Sequence, residues 1–229
     1  GVNSTINNWL DARGKFRFSQ TDHVKPYPNS RGTYDGWYYL YRWPQTYPYG
    51  TYEGLPFRSA VTELEQANDS DNSASLSRIS VGGTASLAEG LALDTDFSYT
   101  SNDVHTHQTG GIVSAYNFWA GGGNLNYGPY TTSSFNEVIY ASSWVRRSNL
   151  RSLLTWQNEI ADHSFKIMAG GESEIYRYWY QSSSQNGLLD PDKGEIGLAT
   201  GDQFVGGDRS HWATLGFFGR INYSFKDRY

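Results

Sequence analysis

Six stretches of this chain alternate apolar and polar residues with a period of two, and the last of them constrains the fold most. Leu215, Phe217, Ile221, Tyr223 and Phe225 fall on one face, with Gly219 keeping the register. Gly216, Phe218, Arg220, Asn222, Ser224 and Lys226 fall on the other. A β-strand sorts neighbours in this way, and a helix does not. Near the start, Leu10, Ala12, Gly14, Phe16 and Phe18 oppose Asp11, Arg13, Lys15 and Arg17. That second face is too charged to meet lipid. Ile79, Val81, Gly83, Ala85 and Leu87 oppose Arg78, Ser80, Thr84 and Ser86, and Leu91, Leu93, Phe97 and Tyr99 oppose Asp94, Asp96 and Ser98. A long stretch over 135–158 and a sixth over 165–180 complete the set, which predicts an all-β, antiparallel protein.

The connectors decide what the apolar faces touch. Only "AEG" separates Leu87 from Leu91, and six residues separate Asn158 from Phe165. The remaining connectors are long, near 21–75, 105–134 and 181–209, and loops beyond about 15 residues are uncommon in compact domains. Short turns alternating with long loops are the pattern of an outer-membrane barrel. The reading is therefore a transmembrane β-barrel segment of about six long strands in three hairpins. Residues 1–229 form a partial barrel domain with the long loops external and no plug domain.

Composition agrees. Aromatic residues make up 16%, with 18 Tyr and 8 Trp, charged residues only 18%, and mean hydropathy is -0.62. A barrel needs apolar residues only at alternate positions, with Tyr and Trp at the interfaces. The alternative is a soluble, aromatic-rich β-sandwich that binds carbohydrate, which shares this composition. No run of about 18 apolar residues is present, so a transmembrane helix is excluded. The absence of cysteine removes disulfides and thiolate sites, and a net charge of -5 argues against nucleic acid. The chain opens at Gly1 with no visible signal peptide, which suggests that processing or excision removed what came before. Single-chain barrels start at eight strands, and an open edge in lipid leaves backbone groups unpaired. Six strands therefore imply a piece of a larger barrel.

Candidate chemistry is sparse. Glu172 and Glu174 share a strand face, the arrangement a glycosidase would need, although a barrel lumen explains them as well. Asp103, His105 and His107 in "DVHTH" could clamp a metal, with a solvated loop as the plainer reading. Asp69, Asp71 and Ser73 have calcium-loop spacing without its glycine or closing glutamate, and "DPDKGE" is a second acidic loop. "GGGN" from Gly121 lacks the strand-to-helix setting of a phosphate loop. No catalytic residue, metal or cofactor is assigned, and the expectation is a non-enzyme. The aromatic segment "YDGWYYLYRWPQTYPYGTYEGLPF" carries the best binding candidates: Trp37, Tyr38, Tyr39, Tyr41, Trp43 and Tyr47 combine stacking faces with polar tips. Packing against a partner or stiffening of the loop would use the same residues. A short helix is expected around Ala60, Leu64 and Ala67, and Trp144, Trp156, Trp179 and Trp212 are expected in interfacial belts.

The closing "FFGRINYSFKDRY" resembles the strand-and-turn phrase of SusC/RagA-type TonB-dependent transporters. "WLDARGKFRFSQTD", "YLYRWPQTYPYGTYEG" followed by "AVTELEQAND", "EGLALDTDFSYT" and "HSFKIMAGGESE" resemble further phrases of that family in the same order. The resemblance implies a barrel of the 22-strand type in the outer membrane of a Gram-negative bacterium. It further implies import of an oligosaccharide or peptide, a SusD-like surface lipoprotein over the barrel, and a TonB complex acting through parts absent from this sequence.

Overall fold

Tight turns set the sheet. Glu89–Gly90 joins two long strands, and Gly90 has φ +72, with space for no side chain because a Cβ would lie 2.1 Å from the Gln157 carbonyl oxygen. Ala161–Asp162 makes the equivalent turn between the next pair, with Ala161 at φ 53. The computed structural model describes residues 1–27, 49–121, 124–131, 136–190 and 192–226. Its strands are β1 (Val2–Asn7), β2 (Leu10–Tyr27), β3 (Thr51–Tyr52), β4 (Leu55–Pro56), β5 (Asn68–Ala88), β6 (Leu91–Thr109), β7 (Ser114–Gly121), β8 (Asn124–Thr131), β9 (Glu137–Ile160), β10 (His163–Asn186) and β11 (Gln203–Phe225). A helix, α1 (Ala60–Glu65), falls within the expected span, and Ser59 caps it by accepting the Thr62 N–H at 3.1 Å.

One antiparallel sheet in the order β1-β2-β5-β6-β9-β10-β11 dominates, flanked by the two-stranded ribbons β3-β4 and β7-β8. The six long strands are those the alternation marks. The short β1, paired to β2 from Val2↔Gly14 to Asn7↔Leu10, adds a seventh where the sequence reads only a terminal segment. Apart from shifts at Thr5–Asn7 and at Ser86–Ala88, where the turn ends of β1 and β5 slip by one residue, registers run on across the sheet, so residues form rows. Leu10, Ala85, Leu93, Leu154, Ala169 and Gly219 stand abreast, and so do Phe16, Ile79, Tyr99, Ser148, Ile175 and Ala213.

The rows divide the sheet into two unlike faces. From the row of Phe165 and Tyr223 to that of Ile175 and Ala213, one face carries no charged side chain among the described residues. Ten residue steps of about 3.3 Å, at the tilt of roughly 40° usual in barrels, give a band about 25 Å tall, matching the apolar belt of a transmembrane barrel. This face is uncovered: Phe217 is 81% exposed, Ile221 73% and Leu215 67%. A sandwich would stack a second sheet about 10 Å away, and none is formed among the described residues. The chain is a segment of a transmembrane β-barrel wall, and its unpaired edges require further strands to close in lipid.

Buried apolar residues gather instead at the end with the long connectors. Val138, Leu188 and Ala199 pack with Tyr140 and Ile196, fastening 187–190 and 192–202 to the tops of β9 and β10. Val113, Ala115 and Tyr116 are buried around β7. Gln66 clamps the backbone of Ser114 from both sides, with its Nε2 donating to the carbonyl at 3.0 Å and its Oε1 accepting the N–H at 2.9 Å.

Candidate functional site, the inner face of the wall

The inner face gathers the charges that the outer face lacks. Arg13 on β2, Gly82 on β5 and Asp96 on β6 lie in one row, so glycine stands between the cation and the acid. A Cβ on Gly82 would sit 2.2 Å from Asp96 Oδ1 and 3.0 Å from Arg13 Nε. The bare position lets the guanidinium cross a whole strand. Arg13 donates from Nε to Asp96 Oδ1 at 2.9 Å, from Nη1 and Nη2 to Asp94 at 3.0 and 2.8 Å, and from Nη2 to Asp96 Oδ2. The Thr84 hydroxyl donates to Asp94 Oδ2 at 2.7 Å. Two acids on one cation leave this cluster net negative.

Higher on the same face, Arg78, Ser98, Thr100, Asn102, Arg147, Asn149, Glu172 and Glu174 line an open groove of about 480 Å³. The two glutamates share a face, as their spacing predicts. Each is already engaged: Arg147 Nε donates to Glu174 Oε1 at 2.9 Å, and Asn149 Nδ2 donates to Glu172 Oε1 at 2.8 Å. Arg147 also lies 5.6 Å from the Tyr176 ring centre, which stacks on Trp212 at 5.3 Å. Arg151 covers the Phe218 ring, which in turn rests on Gly170. The groove thus presents side chains of both charge signs together with amide and hydroxyl groups.

Trp212 corrects one expectation, because it faces inward beside Tyr176. It stands an odd number of residues from Leu215 and so must point away from lipid. Trp144, Trp156 and Trp179 do lie on the outer face, where Trp144 and Trp179 stack at 6.2 Å. "DVHTH" is strand rather than loop. Its three side chains share a face but go to different partners: Asp103 to Arg146 at 2.7 Å, His105 to Ser142 at 3.0 Å and His107 to the Gly194 carbonyl at 2.7 Å. Among the described residues no three His, Cys, Asp or Glu side chains gather. Asp69, Asp71 and Ser73 also lie on a strand, β5, whose alternate residues sit about 6.7 Å apart and cannot wrap a cation. In "DPDKGE", Lys193 holds Asp190 at 3.1 Å and lowers its pKa below the ordinary value, aided by the Asp192 N–H. Glu195 accepts the Tyr140 hydroxyl at 2.8 Å.

Trp37, Tyr38, Tyr39, Tyr41, Trp43 and Tyr47 lie outside the described residues. The described part of the aromatic segment starts at the exposed Tyr49, and Tyr52 packs edge-on against Tyr116 at 4.8 Å and stacks on Phe57 at 6.3 Å. Here the rings stiffen the outer end. The Arg13 cluster was not foreseeable as a unit, since its strands pair only through a register that no local pattern specifies. Gly82 is recognisable as lying opposite both Arg13 and Asp96 only once that register is known.

No protein-family model matches the sequence, and no curated protein does. Among solved structures, the chain is similar to one of the RagAB peptide transporter, at 13% identity and a TM-score of 0.72, covering 98% of this chain and 25% of that one. Structures of the RagAB peptide importer in its "closed-closed" and "open-open" states match at 15% and 16% identity, each with a TM-score of 0.64 and the same coverage. This chain thus spans about a quarter of the length of the chains it matches, and nearly all of it follows their fold. The sequence phrases and the backbone point to the same barrel.

Proposed function

We propose that this chain forms part of the wall of an outer-membrane importer in a Gram-negative bacterium, with its charged inner face lining the path of a bulky polar nutrient. The division of one sheet into a charge-free outer band and a charged inner face carries this reading, since a lipid-facing wall around an aqueous path requires both. The likeness to RagAB supports a transport role. Between oligosaccharide and oligopeptide, the groove favours peptide: Arg78 and Arg147 beside Glu172 and Glu174 match a cargo that carries both signs of charge. The segment bearing Trp37, Tyr38, Tyr39, Tyr41, Trp43 and Tyr47 would receive cargo at the mouth, under a SusD-like lipoprotein. TonB would act through other parts of the protein.

The test is uptake of labelled oligopeptides and oligosaccharides by cells carrying the intact transporter, with Arg147→Ala and Glu174→Ala variants checked for surface assembly. Reduced peptide uptake at normal assembly is expected. Unchanged uptake of both cargoes in both variants would remove the groove from the path.

A further inference from the structure

Immediately beyond the charge-free band, on the side of the long connectors, the outer face becomes cationic. Ser101, Arg146, Arg177 and His211 stand abreast on β6, β9, β10 and β11, and the next row carries Asp103, Trp144, Trp179 and Arg209. Neighbouring strands lie about 4.8 Å apart and alternate residues about 6.7 Å, so these bases fall within a patch roughly 12 Å across. A single acid faces them, and it is committed: Asp103 accepts Arg146 Nη2 at 2.7 Å and the Ser101 hydroxyl at 2.7 Å. Asp208 belongs to the opposite face by parity, and its carboxylate accepts the Arg209 backbone N–H at 2.7 Å. Arg177 and Arg209 thus have no acidic partner among the described residues.

The other rim of the same face is different. There His163 packs among Phe165, Tyr223 and Phe225, while Lys226, in the turn beyond β11 and off this face by parity, is tied to Asp162 at 3.4 Å. Unsatisfied guanidinium groups therefore border the band on one side only. Trp144 and Trp179, with the Arg146 guanidinium 4.9 Å from the Trp144 ring centre, place amphipathic rings at the same height. Indole rings favour the headgroup level of a membrane.

We propose that Arg177 and Arg209, supported by Arg146 and the two tryptophans, bind the phosphate of a lipid headgroup in the leaflet on the long-connector side. Guanidinium matches phosphate oxygens in pairs, and the acyl chains would run down the apolar rows that begin directly beneath, at Ile175, Ala213, Leu150 and Leu215. A soluble phosphate would gain nothing from that adjoining surface. The proposal rests on the reading of this face as lipid-exposed.

The test uses the intact barrel protein containing this chain, purified in detergent and studied by native mass spectrometry. The probes are lipid A with its phosphates, dephosphorylated lipid A, phosphatidylcholine and inorganic phosphate. The phosphorylated lipid should be retained preferentially, and Arg177→Gln with Arg209→Gln should weaken retention by about tenfold for each guanidinium–phosphate pair removed. Arg220→Gln, on the inner face, should leave retention unchanged. Equal retention of the dephosphorylated lipid, or full retention by the double variant, would overturn the proposal. Displacement of the lipid by millimolar inorganic phosphate would assign the belt to a soluble anion instead. A lipid-free dimer that the double variant splits would assign it to a second copy. A protein that stays monomeric in buffer without detergent would refute the lipid-exposed reading itself, a failure separable from the others.

Discussion

At the scale of single residues, the inner ionic cluster depends on an absence. Gly82 leaves the corridor through which Arg13 reaches Asp94 and Asp96, so Gly82→Val should destabilise the barrel by about 1–3 kcal/mol through overpacking and disruption of the ion pairs. Gly14→Ala is the matched control, because a Cβ there meets nothing within 4 Å. Heat-modifiable gel mobility of the folded protein would rank the two, and equal midpoints would contradict the corridor. Tyr140, above the apolar band, offers a pH handle. Burial first, and the hydrogen bond to Glu195 second, push its phenol from the ordinary 10.0 up to about 12. The folded state thus favours the protonated form, so its contribution is complete below pH 10 and is lost as pH rises through about 12. Tyr140→Phe should remove that alkaline step from a stability–pH curve and the late tyrosinate from the absorbance titration. Facing direction was legible here from parity alone. Trp212 shows what happens when residue type is allowed to outweigh parity: tryptophan suggests a belt, whereas position turns it inward.

At the scale of elements, the long strands divide into a membrane-crossing half and a wet half. Within the band, one face meets lipid, and alternation makes the strand obvious in the sequence. Beyond it both faces are wet, and "NDSDNSAS", "DVHTH" and "QSSSQN" lose all periodicity although the backbone ladder continues. Those segments read as loop for that reason, yet β5 begins at Asn68, β6 runs to Thr109 and β10 to Asn186. Main-chain hydrogen bonds to neighbours already in register extend the sheet without help from side-chain pattern. Residues 187–190 and 192–202 are held to these extensions by a small core, and Leu188, only 4% exposed, is its anchor. Leu188→Ala should weaken the attachment by about 2–4 kcal/mol, as for other large-to-small core changes. Amide exchange would rise across 187–202 while 148–175 stays protected. Loss of protection throughout would show that the outer segment and the wall unfold as one unit.

At the scale of the whole molecule, the alternation of short and long connectors implied a barrel, and the count of six strands implied only part of its wall. Register was the missing knowledge, because it alone brings residues 70 or 80 positions apart into one row. The row of Leu10, Ala85, Leu93, Leu154, Ala169 and Gly219 is the middle of the apolar band. Leu154→Arg should therefore cost about 2–4 kcal/mol of insertion and folding free energy, whereas Thr155→Arg, its inward neighbour, should insert normally. Comparable insertion of the two in outer-membrane fractions would contradict the assignment of faces. The strands also have a consequence beyond the bilayer. From Arg177 to Asn186, β10 continues for nine steps of about 3.3 Å, which at a tilt of roughly 40° lifts the rim some 20 Å above the lipid. On the proposed importer reading, a solute arriving on the long-connector side would pass along this raised wall before it reached the plane of the membrane. The turns at the summit could then be rewritten to suit new visitors while the masonry below stayed untouched.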